Sequence, residues 1–147
     1  MIRYLTAYPL SILIVIIICY LSFFQPPQTS LDEVPYIDKL AHICMYGGLT
    51  TVLWIEYLFH QSTFNYKTFL AGSICFPICL SGIIEILQSQ CTDNRSGDWF
   101  DLLANATGVC IACLLGIYVW KPLYQKFKSS GSVSYTHLRA HETSQDL

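Results

Sequence analysis

Four apolar runs set the limits on what this chain can fold into: Tyr4 to Phe24, Leu40 to Phe59, Phe69 to Leu87 and Leu102 to Trp120. At a rise of about 1.5 Å per residue, roughly 20 residues of helix cross a hydrocarbon layer of about 30 Å, and each run has about that length. In lipid a helix satisfies its own backbone hydrogen bonds, which an open strand cannot do. The pattern therefore predicts an all-α membrane protein, a bundle of four transmembrane helices. Composition agrees, since 53% of the 147 residues are hydrophobic and only 12% charged, well away from the soluble average. A net charge of −2 offers no basic surface for nucleic acid. The first run leads into Phe23-Phe24-Gln25-Pro26-Pro27 instead of a small-residue cleavage site, so it reads as a retained anchor.

The segments between the runs differ in charge. Arg3, Lys67, Lys121, Lys126 and Lys128 fall on one side, whereas on the other Lys39 and Arg95 stand among Asp32, Glu33, Asp38, Asp93, Asp98 and Asp101. Lysine and arginine accumulate on the cytoplasmic side, which predicts both termini inside and the segments 25–37 and 89–100 outside. Aromatic residues suit interfacial belts, with Tyr8, Trp54, Tyr57 and Trp120 at the inner boundary and Phe23, Phe24, Tyr36, Trp99 and Phe100 at the outer. Of the seven cysteines only Cys91 falls in an outer segment. The others read as small hydrophobes within the apolar runs. Cys110-Ile-Ala-Cys113 has redox or metal spacing, but no companion pair or nearby histidine. Pro77 lies mid-run, where it cannot donate to the Ser73 carbonyl, and predicts a kink.

Polar residues inside such runs are costly and demand a reason. Asp38 and His42 are four residues apart and share a helical face, with Tyr46 a turn further on; Glu85 and Gln88 share another. Asp98, Asp101, Asn105 and Gly108 follow steps of three, four and three along a third. With the orientation above, all three stripes end on the outer side and predict a single polar pocket there. Three uses of it compete. Glu85, Gln88, Asn105 and His42 can simply hydrogen-bond helix to helix, each contact contributing roughly 0.6 kcal/mol. Asp38 and Lys39 then serve as a helix cap and a snorkelling lysine. Alternatively, His42 acts as general acid or base with Glu85 and Asp101 as carboxylate partners, and Asp38, Lys39, Tyr46, Gln88, Arg95, Asp98 and Asn105 bind a substrate; Arg95 suits a phosphate or carboxylate. Third, Asp, Glu and His side chains can hold a divalent cation, but no HExxH or cysteine pair marks a ligand set, so no metal is assigned. The sequence also contains no activated-serine motif or glycine-rich phosphate loop. It assigns no cofactor and no oligomeric partner. Transport is the least supported class, because no internal repeat or broken-helix pair appears.

The elements Asp38-Lys39-Leu40-Ala41-His42 with Tyr46, Glu85-Ile86-Leu87-Gln88, and Arg95 followed by Asp98, Asp101, Asn105 and Gly108 together resemble the VanZ-like family of bacterial membrane proteins. Order and spacing both match, over about Ile37 to Gly116. The resemblance implies a small multi-pass protein of the bacterial cytoplasmic (inner) membrane, in a family whose namesake is associated with low-level resistance to teicoplanin. An outward-facing pocket fits that association, since glycopeptides act on lipid-linked cell-wall precursors outside the membrane. The partner implied is a membrane lipid or lipid-linked envelope precursor. The alternative is a non-enzymatic assembly or binding factor whose polar residues pair helices. Some members carry a fifth span or extra domains that these four runs lack.

Residues 1–128 thus read as one four-helix transmembrane domain and residues 129–147 as a disordered tail. Ser129-Ser130-Gly131-Ser132 resembles a linker, and the polar string after it has no apolar periodicity. Val133 to Thr143 also resembles translated sequencing-adapter read-through, in which case His137 and His141 carry no meaning.

Overall fold

The computed structural model describes residues 6–24, 35–60, 65–91 and 99–129; the tail from residue 130 onward, Arg95 and Asp98 lie outside them. The described residues form helices and no strand: α1 (Pro9–Phe23), α2 (Ile37–His60), α3 (Tyr66–Cys91) and α4 (Trp99–Leu115), the last continuing through a π-helical turn (Gly116–Trp120) into residues 121–129. Pro9 starts α1 where its missing N–H costs nothing. α3 runs on through Pro77, which is fully buried.

α2, α3 and α4 extend beyond their apolar runs, typically by about a turn. The extra turns carry Asp38 and Lys39 at the start of α2 and Asp101 at the start of α4. Cys91 becomes the last residue of α3 instead of a loop residue. Two helical stretches, Phe69–Gln90 and Trp99–Ser129, are long and apolar enough to cross a membrane. α1 is apolar but only 15 residues long, while α2 has 24 residues and includes Asp38, Lys39, His42, Glu56 and His60.

Contacts at the helix ends establish the order of the bundle. Gln88 near the end of α3 bonds Ser22 near the end of α1, and Lys39 of α2 meets Asp101 of α4, all at one end. At the opposite end Trp54, Tyr57 and Leu58 of α2 and Phe69 of α3 pack with Tyr8, Ile117, Trp120 and Tyr124. Helices therefore alternate in direction, α2 runs parallel to α4, and the described chain begins and ends at the aromatic end. Trp54 and Tyr57 are buried there in a packed cluster, not displayed as an interfacial belt. The Trp54 and Phe69 ring centroids are 4.6 Å apart at 75°, a favourable edge-to-face pairing. Phe24, Tyr36, Trp99 and Phe100 at the other end are exposed, as a belt requires.

α2 and α4 form the most extensive pairing. Their backbones touch at Gly108, where an added Cβ would lie 2.3 Å from the Ile43 carbonyl oxygen and 3.0 Å from the Gly47 nitrogen. Hydrophobic side chains Ile18, Tyr46, Leu49, Ile84, Val109 and Cys113 fill the centre. The inward face of α3 is Ser73, Pro77, Ser81, Ile84 and Gln88, all buried at steps of three and four. Outward faces carry Leu13, Ile16, Ile83, Ile86, Leu103 and Leu114, exposed large apolar residues of the kind that suits a lipid environment.

Candidate functional site

The site is built where the first turns of two parallel helices meet. Asp38 and Asp101 each occupy a first turn, where the unpaired N–H groups and the helix dipole favour negative charge. Lys39 donates to Asp101 Oδ1 and lies 4.0 Å from Asp38 Oδ2, so one ammonium stands between two carboxylates. One turn deeper, the His42 imidazole presents Nε2 to Asp38 Oδ1 at 3.8 Å and Asp101 Oδ2 at 3.7 Å.

A hydrogen-bonded chain supports that imidazole from behind. Asn105 Nδ2 donates to Ser81 Oγ at 2.6 Å, and Asn105 Oδ1 stands 3.1 Å from His42 Nδ1. An amide oxygen can only accept, so Nδ1 carries the proton and Nε2 faces the carboxylates. Tyr46, on the face of α2 that holds His42, meets the same Ser81 side chain. Ser81, Asn105, His42 and Asp101 are all buried. The opening is at Asp38, whose side chain is 55% exposed, and Lys39 at 28%.

Of the residues singled out in the sequence, the structure brings Asp38, Lys39, His42, Asp101 and Asn105 into one contiguous network, with Tyr46 joined to it through Ser81. Gln88 is buried but directed elsewhere: its Nε2 donates to the Ser22 carbonyl at 2.6 Å, satisfying an acceptor at the C-terminal end of α1. Glu85 is half-buried on α3, one turn beyond Ser81. Gly108 supplies the close backbone approach a turn beneath Asn105.

Two residues escaped the sequence reading. Ser81 anchors the whole chain from α3, and the signal for it was its place four and seven residues before Glu85 and Gln88. Glu56 is a buried carboxylate at the opposite end of the bundle, accepting from Leu10 N at 2.7 Å, Ser11 N at 3.2 Å and Ser11 Oγ at 2.5 Å. It caps α1 from another helix, where Tyr8 offers no side-chain cap. An acidic residue isolated between Ile55 and Tyr57 was the available cue.

The family model described as VanZ/LLP1 matches residues 8–121. The chain belongs to the VanZ/LLP1 family. Curated proteins and solved structures give no match. The VanZ/LLP1 match spans all four helices and every residue of the polar network. Membership, together with two helical stretches able to span a bilayer, points to a membrane protein. Chemically, the arrangement offers an oriented imidazole nitrogen, two carboxylates and an ammonium within reach of one another, opening toward a single end of the bundle.

Proposed function

We propose that this VanZ-like protein is a four-span, multi-pass protein of the bacterial cytoplasmic membrane with both termini inside. Its polar site then faces outward and binds, or modifies, an envelope lipid or lipid-linked cell-wall precursor, lowering susceptibility to lipoglycopeptides such as teicoplanin. The observation that carries this reading is the Lys39–Asp101–His42–Asn105 network at one end of the bundle, in which Asp101, His42 and Asn105 are buried. Charged and amide groups in such surroundings are costly. A ligand-binding role accounts for that cost and for the opening at Asp38. Lys39 and Arg95 supply positive charge for an anionic head group. In a catalytic version His42 Nε2 takes or gives a proton, with Asp101 and Glu85 as carboxylate partners and Asn105 holding the ring. The apolar exteriors of α1 and α2 support embedding of these helices as well.

A second reading is favoured by the same bonds. Lys39–Asp101 and His42–Asn105–Ser81 tie α2, α4 and α3 together, as an assembly or binding factor without catalysis would require. One experiment separates the two. Cells expressing His42→Gln, Lys39→Met or Arg95→Lys are compared with wild type for teicoplanin susceptibility and for membrane abundance of the protein. Loss of protection at unchanged abundance supports ligand action, whereas parallel loss of both supports the structural reading.

A further inference from the structure

Each carboxylate of the site divides its oxygens between the same two partners. Asp101 gives Oδ1 to Lys39 and turns Oδ2 toward His42 Nε2 at 3.7 Å. Asp38 sets Oδ2 4.0 Å from the ammonium and Oδ1 3.8 Å from the imidazole nitrogen. His42 itself is only 6% exposed, yet its Nε2 makes no hydrogen bond, both carboxylate oxygens standing beyond that range. The ring nitrogen of a largely buried histidine therefore faces two carboxylate oxygens. The three ligating atoms lie within 4.8 Å of one another.

We infer that Asp38, His42 and Asp101 bind a first-row divalent cation of the Zn²⁺ or Mn²⁺ class. Bonds of about 2.0 to 2.2 Å place tetrahedral donors roughly 3.5 Å apart. The His42–carboxylate separations are a few tenths of an ångström wider, and the Asp38 side chain is 55% exposed at the mouth of the site. A support shell is already in place. His42 donates its other ring N–H to Asn105, which Ser81 anchors. Metal-binding histidines and carboxylates are commonly fixed in this way. Among the described residues, carboxylate oxygens of Asp38 and Asp101 face the His42 nitrogen across the gap. The imidazole donor favours a first-row metal over Ca²⁺ or Mg²⁺. Remaining coordination positions face the Asp38 opening and accept water or an anionic oxygen. The inference does not rest on the lipid reading, because uptake of the ion needs no lipid.

The test uses the full chain in lipid nanodiscs, stripped with EDTA. Mn²⁺ binding is followed by paramagnetic resonance, Zn²⁺ binding by equilibrium dialysis, and the ligand type by the Co²⁺ spectrum. Wild type should take up one ion per chain, with at least about tenfold weaker binding in His42→Gln and Asp38→Asn and about tenfold in Asn105→Ala. Asp38→Asn lies at the exposed mouth and keeps the test valid should a buried variant fail to fold. Lys39→Met should bind the ion at least as tightly as wild type, whereas an anion site would be weakened by that change. No uptake by wild type, equal uptake by Asp38→Asn, or a Co²⁺ spectrum dominated by thiolate charge transfer would overturn the assignment.

Discussion

Ser81 is uncharged and buried, yet it determines which way Asn105 points and, through Asn105, which nitrogen of His42 faces the carboxylates. Ser81→Ala should leave a buried amide donor without an acceptor, a cost of about 1 to 2 kcal/mol. Unfolding in mixed micelles at increasing detergent denaturant would measure it, and an unchanged midpoint would remove Ser81 from this role. Glu56 acts comparably at the other end. Pro9 contributes no N–H, so the carboxylate meets the next two backbone donors of α1 and the Ser11 hydroxyl. Glu56→Ala should lower stability by roughly 1 to 2 kcal/mol. Glu56→Gln keeps an acceptor and should cost less. The ordering of these two variants in a melting experiment checks that the carboxylate caps the helix.

At the scale of elements, the α2–α4 contact decides whether the site exists, because Lys39 and His42 come from one helix and Asp101 and Asn105 from the other. The contact depends on Gly108, where a methyl group would collide with the Ile43 carbonyl oxygen. Gly108→Ala should force the helices apart, at a cost of about 1 to 3 kcal/mol typical of overpacking. It should also weaken the Lys39–Asp101 contact. Gly48→Ala is the matched control, since an added Cβ there meets nothing within 4 Å. Equal melting of the two variants would contradict the close crossing. Further along α4, the backbone widens into a π-helical turn beginning at Gly116, where a Cβ would lie 2.3 Å from the Trp54 ring. The indole occupies the space that any other residue at 116 would need.

For the whole molecule, alternation of helix direction brings two helix N-termini to the site, and their dipoles act together on Asp38 and Asp101. The same alternation places the end of α3, with Cys91, at the site end, as the Gln88–Ser22 bond shows. Under the proposed orientation, a membrane-impermeant thiol reagent should label Cys91 on intact cells. A Cys91→Ser control defines the background, and labelling confined to lysed cells would invert the orientation.

Length, hydropathy and the three- and four-residue spacings were enough to read a helical bundle and to place His42, Asp101 and Asn105 on inward faces, because helical geometry converts such spacings directly into faces. Resemblance to the VanZ-like family was legible from the same residues and holds over residues 8–121. The sequence did not show that Gln88 turns to Ser22, that Glu56 caps α1, or that Trp54 and Tyr57 pack inside the bundle. Those outcomes depend on which helix lies opposite, and residue spacing within one helix carries no information about its neighbour. The partnering of Lys39 with Asp101 and of Asn105 with Ser81 was likewise decided only when backbone contact at Gly108 brought α2 and α4 into register.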